Sequence, residues 1–371
     1  MQDRICLWVV AVLTENNDTR IAAYVVIKRI DPMRLKPGLL FQRITATVAL
    51  TLIVSPAAPA PEPANGQSVR VNVDLVRVPV SVTQRGIPVK GLTKDAFQLR
   101  ENSTPQVIEY FWQELDLPLS IGLIVDVSGS QAGLIGKHKQ TVTTFLKQVL
   151  GPQDRAMLIT VSSQARLVTD FTNSIEELGK GIDRIKALGG KSDPILGEPC
   201  RGGHHRTPLL RKRLKASPCG GTALWQGVYS AAHFKMKNIE GRKALIILSD
   251  GIDTGSDRSL EDTIEAAQAA ETPVYTVKYA SLVALGLLPV VALKQGMNKL
   301  SEETGGVAYG LRHGDIRKVF ENIEDDLRNL YVLCYVSTNT AHDGTFRKIE
   351  VTTAMNGVEI RARKGYVAGR E

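Results

Sequence analysis

The chain has 371 residues, room for about two domains at the ~100–200 residues typical of one. Hydrophobic residues make up 43% and charged residues 23%, which excludes wholesale disorder. Aromatic residues, at 5%, are too sparse for a base-stacking platform, and four cysteines without a C-x-x-C pair exclude a disulfide-dense scaffold or a zinc ribbon. The formal charge of +8 is local: residues 1–60 hold seven basic and four acidic residues, 191–218 hold seven basic and two acidic, and the rest is neutral in sum, so no nucleic-acid partner is expected.

Residues 44–54 (ITATVALTLIV) form an uncharged apolar run, preceded by Arg34, Lys36 and Arg43 and followed by small residues at 55–60 (SPAAPA). That is the order of a secretory signal: basic region, apolar region, small-residue cleavage site. The run is short against the ~20 apolar residues a membrane span needs, so the mature chain is expected to have no span, an uncleaved anchor being the alternative. Met33 stands directly before the basic region. Residues 1–60 are therefore read as an upstream extension plus signal peptide, with Cys6 in the removed part, and 61–67 as a Pro/Ala linker.

Within 68–115, residues 69–82 (VRVNVDLVRVPVSV) alternate apolar and polar with the period of a half-buried strand, and 97–100 and 107–111 are further strand candidates. Residues 311–371 offer a match: a helix, then alternating strands at 331–337, 346–352 and 358–363, with turns at 342–344 (HDG) and 356–357 (NG). Neither set can close a core alone, so the two ends are expected to complete one small β-sandwich, with Cys334 as a core residue.

Between 118 and 310, strands alternate with helices. Apolar runs at 119–125, 156–161, 244–248 and 274–277 read as buried strands, with a companion strand at 165–171 and a short one at 307–309. Helical spacing covers 131–150, 175–188, 223–236, 260–270 and 293–304, and a last helix spans 316–330. This order predicts an α/β fold with a doubly wound, mostly parallel sheet and a ligand site at the carboxyl ends of the strands.

Three polar loops fall at those ends: DVSGS at 126–130, GGT at 220–222 and SDGID at 249–253. They bring Asp126, Ser128, Ser130, Thr222 and Asp250 to one rim. Two carboxylates and three hydroxyls are an all-oxygen set, suited to Mg²⁺, with Mn²⁺ or Ca²⁺ as alternatives, and unsuited to zinc or copper. With only two negative charges around it, such an ion would stay electrophilic toward an outside anionic oxygen. Taken singly, Asp126, Ser128 or Ser130 could equally cap the following helix. The glycine loop lacks a phosphate-cradle pattern and the serines lack a nucleophile elbow, so no enzyme is expected, His204 and His205 notwithstanding.

The spacing Asp126-x-Ser128-x-Ser130, then Thr222 after a glycine pair, then Asp250-Gly, resembles the metal-ion-dependent adhesion site of von Willebrand factor type A domains, with all five positions present. The resemblance covers 118–310. It implies that Ser128 and Ser130 ligate the metal directly and Thr222 directly or through water. Asp126 and Asp250 would act mostly through waters and by orienting the serines, with Asp253 further out. The flanks (VDLVRVPVSV, YVLCYVS, TFRKIEV) look like the secreted subgroup called VWFA-related acidobacterial proteins.

The expected function is an exported or periplasmic adhesion-type module that binds a protein or extracellular polymer presenting a carboxylate. The alternatives are a structural envelope-assembly protein in which the metal only stabilises the fold, and an adaptor for an ATPase. Residues 189–219 form a basic insertion running into Thr222, either a solvated loop or a cap that steers an acidic partner. Cys200 and Cys219 bracket it as a candidate disulfide.

Overall fold

The computed structural model describes residues 11–14, 22–25, 75–114, 117–186, 194–197, 221–279, 290–311 and 316–369. The signal segment, the linker, Cys6, and the basic insertion with Cys200 and Cys219, Pro194–Gly197 apart, lie outside them. The chain divides into two compact units, Met1–Asp74 and Leu75–Glu371. In the first, β1 (Ala11–Thr14) pairs antiparallel with β2 (Ala22–Val25).

The second unit is built on a six-stranded sheet, β8 (Leu119–Asp126), β9 (Arg155–Val161), β10 (Ala165–Thr172), β11 (Arg242–Ser249), β12 (Val274–Tyr279) and β13 (Ala308–Leu311), in the order β10-β9-β8-β11-β12-β13. All neighbours are parallel except β10, which returns on β9 as an antiparallel edge. β8 is fully buried along its length because both its faces carry helices, which explains its near-continuous apolar run. One face packs α1 (Ile135–Val149), α2 (Ile175–Arg184) and α6 (Ile316–Arg328) through Phe145, Leu178 and Phe320. The other packs α3 (Leu224–Ser230), α4 (Leu260–Ala269) and α5 (Val290–Thr304) through Val228, Ala267 and Met297. Gly122 keeps β8 slim: a Cβ there would stand 2.5 Å from Leu245 Cδ2, 2.7 Å from Met157 Cε and 2.8 Å from Met236 Cε.

The expected sandwich is formed by both ends of this unit. One sheet runs β16-β3-β14-β7 (Glu359–Ala362, Leu75–Gln84, Leu330–Val336, Tyr110–Glu114), with β4 (Ile87–Pro88) on β3. The other runs β17-β15-β5-β6 (Gly365–Val367, Phe346–Thr353, Phe97–Glu101, Thr104–Gln106). Val76, Val78, Val80 and Val82 alternate into its core against Leu99, Tyr331, Leu333 and Ile349, and Cys334 is buried in β14. Of the strand expected at 107–111, Tyr110 and Phe111 open β7, while 107–109 form the link from β6 to β7. The chain crosses there from one sheet to the other, leaving Val107 exposed while Glu109 N–H bonds to the Cys334 carbonyl.

Polar side chains join the sandwich to the α/β layer. Buried Asp326 on α6 accepts from Tyr275 Oη at 2.5 Å, from Arg361 Nη2 at 2.7 Å and from Ser81 Oγ. Arg77 pairs with Glu114 and, at 3.2 Å, with Glu271, while Arg363 donates to the carbonyls of Gln268 and Arg77. Among the described residues no helix is long and apolar enough to cross a membrane.

Candidate metal centre

Parallel pairing of β8 with β9 and β11 ends all three strands at one rim, where Asp126 lies opposite Val161 and Leu248 opposite Val125. The order of the sheet reverses at β8, and in such sheets the crevice outside the strand carboxyl ends is the ligand site. Past β8, Val127 N–H still bonds to the Val161 carbonyl, and the chain then enters a 3₁₀ turn, Gly129–Leu134, before α1. Ser128 N–H donates back to Asp126 Oδ1 at 2.9 Å, a local Asx-type closure that fixes the start of the loop. Past β11, Gly251 takes φ 81°, a left-handed turn suited to glycine, and Ile252 N–H donates to Asp250 Oδ1 at 3.1 Å.

Four of the five motif side chains stand in one hydrogen-bonded run. Ser249 Oγ donates to Asp126 Oδ2 at 2.6 Å, Ser128 Oγ lies 3.1 Å from Ser130 Oγ, and Ser130 Oγ donates to Asp250 Oδ2 at 2.9 Å. Thr222 reaches the same rim by its backbone. Its N–H donates to Thr254 Oγ1 at 3.1 Å, and its carbonyl accepts from Thr254 and Gly255, four and five residues beyond Asp250. Ala223 N–H ties the same loop to the Ser162 carbonyl at the end of β9. Asp253 serves the helix behind: its Oδ1 accepts from the N–H groups of Leu224 and Trp225 at 2.7 and 3.2 Å, satisfying orphan donors at the start of α3.

Asp126 is completely buried, and that burial pushes its carboxyl up to about 6, against the pull of hydrogen bonds from Ser128 and Ser249 and with a small further push from Asp250. Ser128 and Thr222 are each 5% exposed, whereas Ser130 and Asp250 are half-buried and face the rim. Three contributors escape a motif reading. Ser249 orients Asp126. Gln131 Nε2 donates to Asp250 Oδ2 at 2.6 Å, and His138 Nε2 lies 3.1 Å from Gln131 Oε1. Burial, and to a lesser degree Lys137, lowers His138 to about 4, so its ring is neutral at physiological pH. A polar residue ending an apolar strand was the only signal for Ser249, and polar residues opening a helix gave none for Gln131 or His138.

The donor set suits a hard cation. Six oxygens at the 2.0–2.1 Å of an octahedral Mg²⁺ stand about 3 Å apart when adjacent. The Ser128–Ser130 and Ser130–Asp250 oxygen pairs already have separations of 3.1 and 2.9 Å. Among the described residues no three His, Cys, Asp or Glu side chains group together as a metal cluster.

No family model matches the chain, and no curated protein does. Solved structures similar to it include the conserved hypothetical protein BatB from Bacteroides thetaiotaomicron, 15% identical over 55% of this chain and 97% of that one, TM-score 0.38. Another is proximal thread matrix protein 1 from the mussel byssus, with a zinc-occupied MIDAS motif, 14% identical over 61% and 49%, TM-score 0.41. A von Willebrand factor type A protein from Catenulispora acidiphila is 10% identical over 81% and 74%, TM-score 0.39. The α/β layer of this chain has a type A-like fold, which its own sheet order and the position of DVSGS and SDG at the ends of β8 and β11 display.

Proposed function

We propose that the chain is an exported, metal-dependent binding module in which Asp126, Ser128, Ser130, Thr222 and Asp250 hold a hard divalent cation, Mg²⁺ first, at the rim of the parallel sheet. The observation that carries this reading is the hydrogen-bonded run from Ser249 through Asp126, the Ser128 N–H and hydroxyl, and Ser130 to Asp250, in which the Ser128–Ser130 and Ser130–Asp250 oxygens stand at the spacing of adjacent cation ligands. When bound, the cation supplies an electrophilic point for an anionic oxygen from outside. The protein's residues prepare for it. Ser249 and the Ser128 N–H hold Asp126; Ile252, Gln131 and Ser130 hold Asp250; and the serines offer neutral hydroxyl oxygens. Two carboxylates only balance the ion's charge and the hydroxyl ligands are neutral, so the ion stays electrophilic toward a further anionic oxygen, and a protein or extracellular polymer presenting a carboxylate is the partner class. The apolar segment at 44–54 with its basic flank supports export.

The test is capture of partners from envelope and secreted fractions with Mg²⁺ and with EDTA, using the wild type and Asp126→Ala. Loss of the same bands in EDTA and in a folded Asp126→Ala is expected; retention in either refutes the mechanism. The near-complete burial of Asp126, Ser128 and Thr222 favours a second reading, in which the ion only stabilises the fold. Under it, Mg²⁺ raises the melting temperature and no captured band depends on Mg²⁺.

A further inference from the structure

Gln131 is fully buried beside the rim, yet it belongs to none of the five motif positions. Its amide bridges two groups: Nε2 donates to Asp250 Oδ2 at 2.6 Å, and Oε1 faces His138 Nε2 at 3.1 Å. Chemistry fixes the direction of this relay. An ionised carboxylate only accepts, so the amide nitrogen must face Asp250; the amide oxygen also only accepts, so His138 must carry its proton on Nε2. His138 is itself completely buried on α1, which gives the relay a rigid base in the helix.

Asp250 needs such a base. It stands in a loop, and the terminal torsion of a carboxylate is broad. The other donor to Oδ2 is the Ser130 hydroxyl, which can rotate. Among the described residues, Gln131 ties that oxygen to the helix behind it, through His138. We propose that Gln131, steadied by His138, is a positioning residue that keeps Asp250 Oδ2 turned to Ser130. The Ser130 hydroxyl then spends its hydrogen inward and presents lone pairs to the cation. This rests on the metal-binding reading of the site, and it assigns the site's affinity partly to two residues outside the motif.

The experiment measures Mn²⁺ binding to the full chain by the electron paramagnetic resonance of free Mn²⁺, with melting temperature as the fold control. Gln131→Met keeps the volume and removes the donor; it weakens Mn²⁺ binding by about ten- to a hundredfold, the range for partners of ligand-orienting groups. His138→Leu weakens it in the same direction. His138→Gln, whose amide N–H reaches where Nε2 does, restores it; a purely space-filling role would not distinguish those two. Wild-type affinity in a folded Gln131→Met overturns the relay while the metal site stands. A wild type that binds no Mn²⁺ overturns both. If Gln131→Met does not fold, equal affinity in His138→Leu and His138→Gln overturns the relay.

Discussion

Asp126→Asn should make the metal-free protein more stable at neutral pH while removing its metal binding. In the folded chain the carboxyl is pushed from 3.8 up to about 6, first by burial, so holding it ionised above pH 6 costs about 3 kcal/mol relative to the unfolded chain. Asparagine keeps an oxygen for the Ser128 N–H but presents an N–H₂ to Ser249, which must turn its hydroxyl, a loss of about 1 kcal/mol. The net gain in EDTA at pH 7.5 is about 2 kcal/mol. The pH dependence gives the sharper signature. For a carboxylate with a raised folded value, stability is present at low pH and lost as pH rises from 3.8 through about 6. His138, lowered from 6.5 to about 4, acts the other way: stability is lost as pH falls from 6.5 toward 4. From pH 7 to pH 5, Asp126 returns stability and His138 removes it, each by about 1–2 kcal/mol. The wild type should therefore change little, and Asp126→Asn should lose stability by the full His138 amount. Urea denaturation in EDTA at the two pH values measures both. A variant that is less stable than wild type at pH 7.5, or parallel to it down to pH 5, would show that burial of the ionised Asp126 is not what costs the protein stability.

Gly122→Ala places a methyl against Leu245, Met157 and Met236 at once and should cost about 1–3 kcal/mol in urea denaturation; a change under about 0.5 kcal/mol would show that the core gives way there. Asp326→Ala strips Tyr275, Ser81 and Arg361 of their shared acceptor between the two layers and should cost about 3 kcal/mol, read as a lowered melting temperature; an unchanged melt would mean the junction is not stabilising. Asp253→Ala uncaps α3 and should cost about 1–2 kcal/mol, and Mg²⁺ affinity should fall with it because Thr222 directly precedes that helix; calorimetric titration checks the second effect.

The sequence makes legible those elements whose burial is uniform. β8 and β11 are covered on both faces, so their apolar runs mark them as central strands, and the polar loops closing them mark the rim. The sandwich strand β3 shows its alternation because Val76, Val78, Val80 and Val82 share one face. Its other face reads as solvent-facing, yet Ser81 is 3% exposed, because Asp326 on the α/β layer and Arg361 close over it. Alternation reports one buried face and is silent on a second one built from polar partners. Gln131 and His138 escape for a related reason: a buried polar side chain on a helix looks like a solvated one until its partner, Asp250, is brought to it from 119 residues away. Asp253 resembles a motif carboxylate by position, but its role as a cap depends on α3 arriving from earlier in the chain.

The pairing of Tyr331 with Val80 has a consequence for synthesis. As the polypeptide leaves the ribosome, the valine stripe of β3 has no β14 to meet until about 250 further residues have been made, long enough for the whole intervening layer to collapse on itself. During that interval the stripe is an adhesive hazard that a holding chaperone would have to shield. Translation arrested before Leu330 would leave β3 and β7 without the strand they share and β5 without β15, an open half-sandwich beside the α/β layer.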